Sequence, residues 1–99
     1  MNMQSIMAQA QKMQRDITKK KEEIDSTDFH GKSEWVEVVF NGKKELKNLQ
    51  ILKTDGIDKD EVEILEDMLS IAIKDALKQV DEETEKKLGA YSQSLNGLF

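Results

Sequence analysis

The chain has no cysteine and no proline among its 99 residues, and only five aromatic side chains. The lack of cysteine excludes disulfides and thiolate metal sites and fits a reducing compartment. The lack of proline means that nothing interrupts the helical patterns and that no stiff linker divides the chain, which is expected to form a single domain over residues 1–99. Core material is scarce: hydrophobic residues make up 37% and charged residues 35%. A chain this short buries only about 60–65% of its unfolded surface, and oligomerisation is the usual supplement. No apolar run approaches the roughly 20 residues of a membrane span. The opening MNMQSIMAQAQKMQ lacks the basic-then-apolar order of a secretion signal. The expectation is a cytoplasmic protein with no membrane partner.

Catalytic chemistry is also missing. There is one histidine, His30, with no cluster of ligand residues beside it, so a structural or solvent-exposed role is favoured. No Gly-rich phosphate loop, Cys/His metal spacing, nucleophile elbow or triad can be assembled. Neither an enzyme nor a cofactor, metal or small-molecule substrate is expected. The acidic pairs among Asp60, Glu61, Glu63, Glu66 and Asp67 suit the start of a helix and need no catalytic explanation.

What the chain does have begins with the stretch Glu34–Leu52. Val36, Val38 and Phe40 recur at period two, which predicts a strand with one apolar face. Asn41-Gly42 then predicts a two-residue type I′ turn. Leu49 and Ile51 continue the alternation on a returning strand, and Leu46, out of phase, needs a bulge or a strand end. Phe29–Gly31 is a candidate edge strand. Trp35 is expected on the side of the sheet opposite Val36, either at a subunit interface or against the first helix. An isolated hairpin is marginal in water, so a third strand, a helix or a second chain must support it.

Two helices flank this stretch. The first runs from Asn2 to about Ile24, with Met3, Ile6, Ala10, Met13, Ile17 and Ile24 in a narrow seam. Lys12, Arg15 and Lys19 share a face on an i, i+3, i+7 spacing, and Lys20 and Lys21 extend it. Such a strip suits phosphates, although most charged helix faces are merely solvated. The second helix is capped by Asp58 or Asp60. It carries Leu65, Met68, Leu69, Ala72, Ala76 and Val80 as its stripe, widened by Ile64, Ile71 and Ile73, and so needs cover on two sides. From Asp81 it turns polar and is expected to project into solvent. Gly89 is a candidate C-cap, and residues 90–99 are expected to be a flexible tail.

The formal net charge of −5 is unevenly spread: residues 1–53 carry ten basic against eight acidic side chains, and residues 54–99 carry five against twelve. One end can meet a polyanion while the other stays solvated.

The combination of IMAQAQKMQ (Ile6–Gln14), VEVVFNGKKEL (Val36–Leu46) and EILEDMLSIAIKDAL (Glu63–Leu77) resembles the YbaB/EbfC nucleoid-associated proteins of bacteria. The resemblance spans about residues 3–88. It implies an α+β fold, with a long N-terminal helix, a small antiparallel sheet of about three strands and a long C-terminal helix, assembled as a tweezer-like homodimer. It implies binding of duplex DNA with low sequence preference, in the cytoplasm at the nucleoid. On that reading the candidate DNA-binding residues are Lys12, Arg15, Lys19 and Lys20, with Lys86 and Lys87, which an antiparallel two-helix arm would set beside the start of helix one. The candidate dimer residues are Trp35, Met68, Ile71 and Ala72. The rival reading is a protein-interaction module using the Met-rich first helix or the acidic second helix.

Overall fold

A computed structural model of the chain describes residues 2–91. Its order is α1 (Met3–Asp25), β1 (Asp28–Lys32), β2 (Val36–Asn41), β3 (Leu46–Ile51), a 3-10 turn at Lys59–Glu61, α2 (Val62–Leu88) and a second 3-10 turn at Gly89–Tyr91. The expected α+β order of helix, three-stranded antiparallel sheet and helix is therefore present, with strands in the order β1-β2-β3.

Local chemistry explains the boundaries. Asn2 Oδ1 accepts from the Ser5 N–H at 2.8 Å, capping α1. At its other end the Ser26 and Thr27 hydroxyls donate back to the Glu23 carbonyl at 3.2 and 2.6 Å and stop the helix. Before α2, the Asp58 N–H donates to Glu61 Oε1 at 3.0 Å, a capping box at the head of the 3-10 turn that leads into α2, so the cap falls on Asp58 rather than Asp60. This hydrogen bond, ahead of the nearby Lys53 ammonium, holds the Glu61 carboxyl below its ordinary range.

The sheet carries one bulge. Val39 pairs with Asn48 and Phe40 with Leu46, which leaves Lys47 as the extra residue and absorbs the phase of Leu46, as the alternation requires. The turn, however, is not a two-residue type I′ loop. The connection spans Gly42–Glu45, and its left-handed residue is Lys44, with φ 64°. Asn41 organises it through its side chain: Oδ1 accepts from the N–H groups of Lys43 and Glu45, each at 3.0 Å, and Nδ2 donates to Glu45 Oε1 at 2.8 Å. Gly42 serves a close approach, because a Cβ there would overlap the Ile24 carbonyl oxygen.

Two cores sit along α2. Under its first half, Val36, Val38 and Phe40 pack with Ala72 and Ala76, ringed by Leu65, Met68, Leu69, Ile73 and Leu77. Gly31 permits this contact, since a Cβ there would overlap the Ala72 carbonyl oxygen. Trp35 packs on the same cluster. It lies in the bend before β2, where pleat alternation does not apply, and the expectation that it faces away from Val36 is corrected. The second core joins Ile17 and Ile24 of α1 to Leu88 of α2, with Tyr91 against them. The polar end of α2 therefore does not stand free in solvent but lies along α1. Gly89 caps α2 in the ordinary helical region, at φ −58°.

The chain is long and narrow. Its extents are 70 × 19 × 16 Å and its radius of gyration is 19.4 Å, against about 13 Å for a compact chain of similar length.

Candidate nucleic-acid interface

The α1 periodicity separates apolar and basic side chains. At about 100° per residue, Lys12, Arg15 and Lys19 fall within an arc of about 60°, roughly opposite the seam of Met3, Ile6, Ala10 and Ile17. Ile17 and Ile24 turn toward α2 and are buried, whereas residues 2–15 are exposed throughout. Lys12, Arg15 and Lys19 thus form a strip about 10 Å long on the solvent side of the helix.

Their surroundings differ. Lys12 pairs with Asp16 at 3.5 Å, an exposed i, i+4 contact that a polyanion could displace cheaply. Arg15 and Lys19 make no ion pair among the described residues. Lys20 is turned to the other side of the strip. Its Nζ lies 3.4 Å from the Tyr91 hydroxyl and 5.0 Å from the ring centroid, so it joins the two helices.

Lys86 and Lys87 are not beside the start of α1. The end of α2 meets the second half of α1, because Leu88 packs on Ile17 and Ile24. Lys87 contacts Glu23 at 3.6 Å and Glu83 at 4.0 Å and is half-buried. Lys86 is exposed near Thr27, Asp28 and Phe29, where a shallow cleft also takes in Gln79, Glu82 and Glu83. The geometry gathers Lys12, Arg15 and Lys19 into one surface and leaves Lys86 and Lys87 at a distance from it, the latter already occupied by carboxylates.

The second exposed surface is apolar. β3 is exposed along its whole length. Its Leu46, Leu49 and Ile51 pair across the ladder with Phe40, Val38 and Val36, so they lie on the face that α2 covers over β1 and β2 but not over β3. Ile71 is 53% exposed on α2, and Ile64 and Val62 are exposed near its start. Of the residues expected at a dimer interface, Met68 and Trp35 are partly buried and Ile71 is open. Ala72 is fully covered within one chain and has no surface to offer another. The β3 strip did not figure among the expected interface residues, because the alternation of Leu49 and Ile51 indicates an inward face without showing whether a helix reaches it.

His30 is exposed, with Nδ1 3.5 Å from Glu37 Oε1 across the ladder. Among the described residues no three histidine, aspartate or glutamate side chains are grouped to hold a metal ion.

Comparison with known proteins agrees with this architecture. A nucleoid-associated protein of Lactococcus lactis subsp. lactis (strain IL1403) is 47% identical over 97 residues, covering 96% of this chain and 97% of that protein. One from Ligilactobacillus salivarius (strain UCC118) is 37% identical over 100 residues, covering 99% and 95%. The crystal structure of an uncharacterized protein from Helicobacter pylori superposes with a TM-score of 0.64 at 25% identity, over 100% of this chain and 99% of that one. The model of the YbaB/EbfC DNA-binding family matches residues 1–95, and the chain belongs to that family.

Proposed function

We propose that the protein is a nucleoid-associated DNA-binding protein that acts as a homodimer in the cytoplasm and meets duplex DNA chiefly through phosphates, with low sequence preference. Family membership and the names of its relatives support DNA as the partner. The observation that carries the phosphate reading is the solvent-facing strip of Lys12, Arg15 and Lys19, set apart from the apolar seam. Long cations on one helix face neutralise phosphates without reaching base edges in any fixed pattern, which gives affinity without sequence readout.

The exposed apolar surface supports the dimer. Leu46, Leu49 and Ile51 extend the core face of the sheet past the edge of α2, and Ile71 is a separate exposed apolar residue on α2. Burying one such side chain is worth about 1.5–3 kcal/mol, and a second copy presents the same strip in return. Two copies joined at their sheets would hold their α1 helices outward, as in a tweezer.

The deciding test replaces Lys12, Arg15 and Lys19 with glutamine, which keeps helix propensity and leaves the seam intact. If all three engage phosphates, the slope of log affinity against log salt falls by nearly 3, at about 0.9 per contact, and equally on unrelated sequences. A control with Glu63→Gln and Glu66→Gln leaves the slope unchanged; Glu61 is excluded because it caps α2. An unaltered slope in the basic variant refutes the phosphate reading and favours the protein-interaction module.

A further inference from the structure

We propose that the outer half of α1 is a self-association surface, on which the same half of α1 from a second copy lies antiparallel, in a contact separate from the one through β3. The seam that closes α1 onto α2 continues past the end of that cover. Ile17 and Ile24 are closed over by Leu88 and Tyr91. Residues 2–15 are exposed throughout, and Met3, Ile6 and Met7 are 74%, 49% and 56% exposed.

The spacing of the seam fits its own copy. Met3, Ala10 and Ile17 repeat every seven residues, with Ile6 and Met13 three residues after the first two, the pattern at which paired helices interlock. Antiparallel self-pairing sets Met3 of each copy against Met13 of the other, and Ile6 against Ala10, a large side chain against a small one. In that register the helix of the second copy begins at the level of Met13, about 6 Å along the axis from Ile17. It runs in the direction of α2, which is antiparallel to α1, since Lys87 reaches Glu23 and Tyr91 reaches Lys20. The second copy therefore takes up the face of α1 where the cover by α2 ends.

Charge supports the same occupant. A twofold contact brings side chains near its centre against their own copies, so like charges there repel. Residues 2–11 carry no charged side chain, whereas nine of residues 12–25 do. At the edge of the pair Gln9 meets Gln9 of the second copy, and an amide that both donates and accepts can match itself. Asp16 falls beside the start of the second copy's α1, where the macrodipole favours a carboxylate. Lys12, Arg15 and Lys19 lie on the opposite face and stay open. The overlap of about three turns is smaller than a standard interface, so it joins β3 dimers at submillimolar rather than micromolar concentration.

The absence of cysteine allows the contact to be read in the full chain. Gln9→Cys, treated with a short bismaleimide at submillimolar protein, should give a covalent dimer. Ala8→Cys, exposed at the same level on the opposite face, should give far less, and equal yields overturn the proposal. The Gln9→Cys product should persist when Leu49→Asp is added; its loss makes the α1 contact part of the β3 dimer and overturns the proposal as well. In sedimentation at the same concentration the unaltered chain should pass beyond the dimer mass. Ile6→Asp, at a position already exposed, should raise the dissociation constant of that step at least about tenfold with helical circular dichroism unchanged. A chain that never passes the dimer overturns the proposal. Mass lowered by Ile6→Asp but not by Leu49→Asp upholds the α1 contact and refutes the β3 one, so the two readings fail separately.

Discussion

Gly42 lies with its Cα against the carbonyl of Ile24, so the loop between β2 and β3 and the end of α1 share one backbone contact. The position has no room for a side chain, although its φ is not in the left-handed region. Gly42→Ala should cost about 1–3 kcal/mol through overpacking against backbone that cannot yield, measured as a fall in the urea midpoint at unchanged m. A wild-type midpoint in this variant would mean that the contact is not made.

The same loop separates two mechanisms at neighbouring positions. Asn41→Val should destabilise by about 1–3 kcal/mol, because it leaves the Lys43 and Glu45 N–H groups without their acceptor, and not through any strain in φ. Lys44→Val should cost about 1–2 kcal/mol for the opposite reason, since a β-branched residue tolerates a φ of 64° poorly. Lys44 also pairs with Asp81 at 3.0 Å in an exposed contact, and Lys44→Gly, which removes the steric objection along with that ion pair, should stay within about 0.5 kcal/mol of wild type. Equal losses in all three would argue against this division.

Association should depend on β3. Leu49→Asp places a carboxylate in the middle of the exposed strip, and Ile71→Asp does the same on the helix flank. Each should raise the dimer dissociation constant by at least about tenfold and leave the folded protomer, 11.3 kDa, in sedimentation at micromolar concentration. Charge on a side already facing solvent costs the protomer little. A wild-type mass for both variants would place the interface elsewhere.

Acid should loosen the start of α2. The Glu61 carboxylate accepts the Asp58 N–H, so its folded pKa lies below its unfolded value. Its stabilising contribution is complete above the unfolded value, near 4.5, and is lost as pH falls through the lower, folded one. Glu61→Gln keeps an acceptor but cannot titrate. The stability difference between wild type and variant should therefore narrow between neutrality and about pH 3, measured by denaturant midpoints. A constant difference would show that the carboxylate charge is not what caps the helix.

Occupied and open lysines should behave differently. Lys87, held by Glu23 and Glu83, and Lys20, held on Tyr91, belong to the contact between the helices. Glutamine at either position should lower stability by up to about 1 kcal/mol and leave the salt slope of DNA binding nearly unchanged. A slope reduced by about 0.9 for Lys87→Gln would return that residue to the phosphate surface.

Much of this arrangement was legible in the sequence because period and composition report local structure directly. The two helices, the three strands and the break of phase at Leu46, which asked for a bulge or a strand end, all follow from spacing. The separation of the Lys12, Arg15 and Lys19 face from the Met3 and Ile6 seam also follows, since both rest on one helical period. What did not follow depended on distance between elements. Asn41-Gly42 has the composition of a tight turn, but the Ile24 carbonyl, eighteen residues before Gly42, decides what Gly42 is for. DEETEKK is polar enough to stand in water, yet Leu88 just beyond it, packed on Ile17 and Ile24, fixes its path along α1. Trp35 was assigned a face by alternation in a place where no strand had yet begun. The position of Lys86 and Lys87 depended on how far α2 reaches along α1, which no local pattern encodes.

The extra residue at Lys47 also bears on solubility. β3 is the outer strand of its sheet, and a regular outer strand offers its unpaired backbone groups to any extended segment that passes, the first step in edge-to-edge aggregation. The bulge breaks the regular spacing of those groups and sets a lysine at the break, which works against open-ended growth of the sheet. The apolar face of β3 is then free to meet a partner surface while its backbone edge resists polymerisation.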